Sequence, residues 1–496
     1  MFENLIQNSD LVFRNLWNML KYDPEAPMLF SSGLFWILFL IFIPVYAMLK
    51  KSRTQMIVFV VLFSLYFYYK SSGFFFLMLM ATSFIDWIVS KAIYRLTGKT
   101  SRITLMWFSI ILSLSILGYF KYANFFLWNW NQMVEGNFQP LDIILPVGIS
   151  FYTFQSISYV VDVYKGKIAP TRTWIEYLFF LSFFPALVAG PIVRADYFLP
   201  QLEKNEEASK SDIYGGLWLI IVGIVKKALI ADYISQFNDL IFNEPSLYTG
   251  VQTLMGVLGY TMQIYCDFSG YSDMAIGIAL IMGFKLGINF DSPYQSRNLT
   301  EFWRRWHISL SSWLRDYVYI PLGGNRKGTI RTYVNNFLTM LIGGLWHGAA
   351  WKFVFWGGMH GIGLAVHKAS KPILKKIPDN WITIFFSWLI TFVYVSLLWV
   401  FFRAASFEDS VIIIKNIFID FDWNQIPQFF EARMVWCIMM ICLTVFHFVP
   451  QRWADICQYA FIKGPWILKL LIFLFVIQLV IEFMSEEVAP FIYFQF

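Results

Sequence analysis

The sequence is poor in charge. Only 14% of its 496 residues are Asp, Glu, Lys or Arg, while 58% are hydrophobic. A soluble domain carries about 25% charged residues, so the chain lacks the polar surface to cover a water-soluble particle of its size. Cysteine is scarce too. Cys266, Cys437, Cys442 and Cys457 form no CxxC pair and sit in or beside apolar runs, where a free thiol behaves as a small hydrophobe. No tight Cys/His cluster has zinc spacing, so no metal site is expected. Also missing are an internal repeat, a polar stretch long enough for a separate soluble domain, and the alternating ten-residue pattern of a β-barrel. The first 19 residues hold Glu3, Asp10 and Arg14 with no small-residue cleavage site after them, which argues against a secretory signal.

Long apolar runs are what the chain does have. Residues 29–49, 103–127, 174–193, 213–231, 381–402 and 466–483 approach or exceed the roughly 20-residue length of a spanning helix. Residues 55–69, 73–89, 254–284 and 333–366 are similar but interrupted. The expectation is an all-α, polytopic transmembrane protein with about 11 to 13 membrane-embedded helices. Residues 1–28 read as an N-terminal interfacial amphipathic segment and 29–496 as a single transmembrane domain. Pro146, Gly148, Pro185, Gly190, Pro191, Gly283 and Gly287 interrupt apolar runs; they mark either a protein-lined chamber or ordinary kinks.

The net charge of +6 is no nucleic-acid signal, because the cations fall in alternate loops. Lys50, Lys51 and Arg53, then Lys91, Arg95, Lys99 and Arg102, then Lys165, Lys167 and Arg172 face the cytoplasm by the positive-inside rule. Residues 129–142, with Glu135 and Asp142, then lie outside, as does the N-terminus. Residues 485–496, with Glu486 and Glu487 and no cation, also read as outside.

Residues 292–327 do not suit a spanning helix. Asn298 and Glu301 have capping-box spacing and mark a helix start; Pro321, Gly323 and Gly324 mark its end. Trp303, Trp306, Leu310, Trp313 and Tyr317 fall on one face, and Arg304, His307, Ser311 and Arg315 on another. Arg304, Arg305 and Arg315 make this amphipathic helix too charged for lipid. Residues 285–331 carry eight Lys or Arg against Asp291, Glu301 and Asp316, which favours the cytoplasmic side. Such a basic, aromatic surface suits a phosphate-bearing donor like coenzyme A, with Arg304, Arg305, Ser311 and Arg315 as donor-side candidates. It equally suits simple anchoring at the membrane surface.

There are five histidines. His347, in GLWHGAAW, is the one ionisable residue between Asn336 and Lys352. An ionisable group at membrane depth suggests function, and a neutral imidazole can take a proton from a hydroxyl, as acyl transfer to an alcohol requires. A hydrogen-bonded core histidine at a tight helix crossing explains it as well. His360 and His367 are about 10 Å apart along a helix, too far to share a metal. His447, near Pro450, reads as structural. Asp267 and Asp273, in YCDFSGYSDMAIG, are costly unless paired; arginines of the amphipathic segment are the expected partners.

WRRWHISLSSWLRDYVYIPLGG at 303–324 resembles the membrane-bound O-acyltransferase family, in its alginate O-acetylase-like branch. So do GLWHGAAW, YCDFSGYSDMAIG, LPVGISFYTFQSISYV at 145–160, FFPALVAGPIVR at 183–194 and the closing APFIYFQF. The resemblance implies a ring of helices around a central funnel, with a catalytic core at about 145–370. It implies that His347 and His307 are the catalytic histidines. It further implies acetyl transfer from acetyl-CoA, a substrate and not a bound cofactor, across a bacterial inner (cytoplasmic) membrane. The acceptor would be a hydroxyl of a cell-surface polysaccharide or of an extracytoplasmic serine-type acetyltransferase, with polysaccharide synthesis machinery as partner. D-alanyl transfer from a carrier protein to teichoic acid, a non-enzymatic transporter or channel, and a membrane scaffold are the rival readings.

Overall fold

A computed structural model describes residues 17–483. The interfacial helix expected near the N-terminus falls mostly on residues 1–16, outside the described residues. The closing motif and the acidic C-terminal stretch, within 484–496, lie outside them as well.

The described residues fold as helices joined by turns and loops: α1 (Gly33–Leu49), α2 (Arg53–Ser72), α3 (Phe76–Arg95), α4 (Lys99–Leu117), α5 (Ala123–Val134), α6 (Ile149–Tyr164), α7 (Trp174–Ser182), α8 (Phe184–Leu187) and α9 (Ala195–Lys204). There follow α10 (Lys210–Ile224), α11 (Asp232–Asn243), α12 (Gly250–Ile281), α13 (Leu299–Arg305), α14 (Ile308–Leu314), α15 (Thr329–His347) and α16 (Trp351–Leu374). Then come α17 (Trp381–Arg403), α18 (Phe407–Ile419), α19 (Gln425–Ala432), α20 (Met434–Phe448), α21 (Gln451–Lys463) and α22 (Trp466–Phe483). Local sequence sets many of the starts. Thr173 with Glu176, Ser209 with Asp212, Thr249 with Gln252 and Ser406 with Asp409 form reciprocal capping boxes that satisfy otherwise orphaned backbone N–H groups.

Two compact units divide the chain. The first comprises 1–123, 139–188 and 193–207. In its core Phe35, Phe42 and Phe67 pack at tilted or edge-on angles against Phe184, and Tyr159 stacks on Tyr177 with ring centroids 4.3 Å apart. Asp86, 1% exposed, accepts hydrogen bonds from the Ser109 and Ser156 hydroxyls.

The second unit comprises 124–138, 189–192 and 208–496. Its axis is the 32-residue α12, which packs along α10. A Cβ on Gly216 would sit 2.5 Å from the Gly277 carbonyl oxygen, so only glycine permits this backbone contact. Between α10 and α11 lies a π-helical turn, Val225–Ala231.

Among the described residues, five helical stretches are long and apolar enough to cross a membrane: Arg53–Arg95, Lys99–Val134, Lys210–Asn243, Trp381–Arg403 and Trp466–Phe483. Counting the bent pair of α19 and α20 gives six. The sequence suggested more, because several of its apolar runs fold as short or interrupted helices. Residues 174–193 become α7, α8 and a non-helical end.

Candidate functional site

One continuous amphipathic helix was expected over 299–320, and the structure corrects this. Asn298 does cap the start, its side-chain oxygen accepting from the Glu301 N–H at 2.9 Å. The helix then stops after seven residues. The Asp291 N–H donates to the Arg305 carbonyl at 3.0 Å, and the Ile308 N–H to the Asn289 carbonyl at 2.9 Å. These bonds tie the chain to the preceding loop and force a reversal at His307, whose φ is +43°. A non-glycine residue in this region costs roughly 1–3 kcal/mol and persists where the surroundings over-determine it. The chain resumes as α14 and a π-helical turn, Arg315–Tyr319.

The break delivers the His307 ring into the interior, with 0% of the residue exposed. Its Nδ1 lies 3.2 Å from Asn289 Oδ1. That oxygen also receives the Ser309 backbone N–H at 3.2 Å and the Ser309 hydroxyl at 2.8 Å. A backbone N–H can only donate, so the facing Asn289 atom is an oxygen; the Asn289 amide nitrogen donates to Ser272 Oγ at 3.3 Å. His307 therefore carries its proton on Nδ1 and a lone pair on Nε2. Burial holds the imidazole neutral by pushing its pKa down to about 3.

His347 ends α15, 4% exposed. It is placed by the tight hairpin of α15 and α16. A Cβ on Gly344 would meet the Phe353 carbonyl oxygen at 2.3 Å, and one on Gly357 the Met340 carbonyl oxygen at 2.4 Å. The two helices touch backbone to backbone just before the chain turns at Gly348. The His347 ring packs edge-on against Trp346 at 5.0 Å, Trp356 at 5.1 Å and Phe402 at 5.2 Å.

Trp346 joins the two histidines. Its ring centroid lies 5.8 Å from that of His307 and 5.0 Å from that of His347. His360 stands behind the same wall, 4.7 Å from Trp356, and its Nδ1 accepts from Trp303 Nε1–H at 3.3 Å. His447 is bonded into the packing, its Nε2 accepting from the Tyr294 N–H at 3.1 Å. The donor-side candidates diverge. Arg305 is held by Glu301 at 3.1 Å and Asp291 at 3.7 Å, Arg315 by its neighbour Asp316 at 2.8 Å. Ser311 donates to the Trp306 carbonyl at 3.2 Å. Arg304 is exposed and, among the described residues, forms no ion pair.

The acids have other partners than expected. Asp273 pairs with Lys226 at 2.7 Å, and Asp267 with Lys227 at 2.6 Å, not with arginines of the amphipathic segment. Lys227 also meets Asp232 at 2.7 Å. Both lysines sit on the π-helical turn, whose extra residue lets neighbouring side chains reach acids on α12. Sequence reasoning passed over them because they were counted inside an apolar run. Two adjacent lysines at membrane depth were the available signal. Asn289 carried no comparable signal, since its role depends on the chain reversal at His307.

The pattern of the membrane-bound O-acyltransferase family matches residues 101–411. Over 334 residues the chain is 42% identical to a peptidoglycan O-acetyltransferase of Helicobacter pylori, covering 62% of this chain and 63% of that protein's length. It is 41% identical over 422 residues to a probable alginate O-acetylase of Pseudomonas aeruginosa, covering 82% and 78%. A teichoic acid D-alanyltransferase of Bacillus subtilis is 30% identical over 283 residues, covering 54% and 71%. With more than half its length matched by the family pattern, and with five apolar helical stretches among the described residues long enough to cross a membrane, the chain belongs to the membrane-bound O-acyltransferase family.

Proposed function

We propose that the chain is an O-acetyltransferase of a bacterial cytoplasmic membrane, taking acetyl from cytoplasmic acetyl-CoA and passing it to an extracytoplasmic hydroxyl. The observation that carries this reading is the pair of buried histidines in contact with one indole ring. The acceptor oxygen attacks the thioester carbonyl, forming the C–O bond and breaking the C–S bond. His347 takes the hydroxyl proton and returns it to the leaving thiolate, so no net proton is consumed. Burial among aromatic rings keeps competing water away.

The tautomer assigned to His307 narrows its role. With Nδ1 directed at Asn289, the ring helps to position the thioester end of acetyl-CoA. Arg304, exposed on the basic segment, would meet the phosphates of coenzyme A. The hydroxyl belongs to a cell-surface polysaccharide or to a serine-type acetyltransferase outside the membrane. The protein reconstituted in lipid should cleave acetyl-CoA in the presence of acceptor and leave a D-alanyl-loaded carrier intact. Cleavage of the carrier thioester alone would instead support D-alanyl transfer, the reading that the lower identity to that relative disfavours.

A further inference from the structure

A cavity of about 370 Å³ opens within the first unit, between the start of α2, the loop that precedes α7, and α9. Its size lies within the usual range of small-ligand sites, about 300–1,000 Å³. Ile168, Pro170, Leu199 and Leu202 give it an aliphatic wall. Arg53, Arg172, Glu176, Asp196 and Glu203 bring charge to the same lining.

Three of these charges are answered by the protein itself. Glu176 pairs with Arg53 at 2.6 Å and accepts the Thr173 N–H at 3.1 Å. Arg53 also donates from Nε to the Leu202 carbonyl at 3.2 Å, which leaves Nη1 as its remaining donor. Asp196 pairs with Lys167 at 3.3 Å. Arg172 and Glu203 differ. Both are exposed, and neither forms an ion pair among the described residues. One recess therefore carries one unanswered cation and one unanswered anion.

The recess also lies at a membrane surface. Lys50, Lys51 and Arg53 stand at the start of the Arg53–Arg95 stretch, and Lys165, Lys167 and Arg172 follow α6. The positive-inside rule makes this end cytoplasmic. Ile175 and Tyr197, each next in sequence to a lining residue, are exposed apolar side chains, as a rim in contact with acyl chains requires.

We propose that this recess binds the headgroup of a zwitterionic aminophospholipid from the cytoplasmic leaflet. The phosphate meets the planar fork of Arg172 and Nη1 of Arg53, the primary ammonium donates to the Glu203 carboxylate, and the aliphatic wall takes the glycerol end. An anionic lipid without an amine leaves Glu203 unanswered, and a quaternary amine has no N–H to donate. The recess therefore selects phosphatidylethanolamine over phosphatidylglycerol and phosphatidylcholine.

The test uses the full chain in detergent, titrated with each of these three lipids at identical acyl chains and read by native mass spectrometry. No acetyl-CoA is present, so the outcome is independent of the acetyl-transfer reading. Phosphatidylethanolamine should bind about fivefold more tightly than either other lipid. Arg172→Gln should weaken it about tenfold. Glu203→Gln should weaken it about fivefold and leave phosphatidylglycerol binding unchanged or tighter. Both side chains are exposed, so the thermal midpoint of each lipid-free variant should match that of the unaltered protein. Equal binding of the three lipids, or a preference that survives both substitutions, overturns the site. Soluble phosphoethanolamine that binds as tightly as the lipid overturns the assignment to a membrane lipid.

Discussion

Lys227 and His307 are 1% and 0% exposed, yet the chain buries them by opposite means. Lys227 stays charged between Asp232 and Asp267, with Lys226 and Asp273 paired beside it. His307 stays neutral, its one proton given to Asn289, and its neighbours are the rings of Phe268 at 4.7 Å and Trp346. The two groups share α12. Asp267 and Phe268 are consecutive, so one turn of helix serves the ion cluster on one side and the imidazole on the other. Charge answered by charge fixes the packing of helices. A neutral imidazole among rings is the group to which the proposed mechanism assigns chemistry. On the proposed mechanism the first grouping carries fold and the second carries reaction, and substitutions should separate them.

The largest effect belongs to the ion cluster. Lys227→Met leaves two carboxylates without their cation and should destabilise the protein by about 3–5 kcal/mol, as breaking a buried pair does. Reduced yield and a lowered thermal midpoint in detergent will show it, and a double substitution with Asp267→Asn should recover part of the loss. Next comes the hairpin that holds His347. Gly344→Ala drives a Cβ onto the Phe353 carbonyl and should cost about 1–3 kcal/mol. It should also lower transfer, because His347 is three residues further on.

These two groupings were unequally legible in the sequence. His347 stood out as a rare residue in an apolar run, and the family resemblance sharpened its role. Asp267 and Asp273 were noticed for the same reason, but their partners were not, because pairing depends on a π-helical turn that composition does not announce. The start of α13 was readable from Asn298 and Glu301. Its early end was not, since long-range backbone bonds to Asn289 and Asp291 override a run with helical periodicity. The helices themselves follow from apolar length, whereas their interruptions follow from tertiary contacts.

Acid offers a third contrast. The folded pKa of His307, about 3, lies below its unfolded value of about 6.5, so the unfolded chain binds a proton the native one refuses. Its contribution is intact above about pH 6.5 and is lost as pH falls toward 3. At pH 5 the loss should reach about 2 kcal/mol. His307→Gln should flatten that part of the dependence of the thermal midpoint on pH. The smallest effect concerns Asn289. Asn289→Ala removes the acceptor for Nδ1–H and should slow transfer about tenfold, equivalent to ~1.4 kcal/mol. Asn289→Asp, which keeps an acceptor, should restore part of the rate.

The division between fold and reaction is tested most directly at His347. Single-turnover acetyl transfer should be measured for His347→Gln in lipid, alongside its thermal midpoint. The account predicts a rate lower by about 10²–10⁴, the usual worth of a general base, with the midpoint close to that of the unaltered protein. A folded His347→Gln protein that transfers acetyl at the full rate would contradict it.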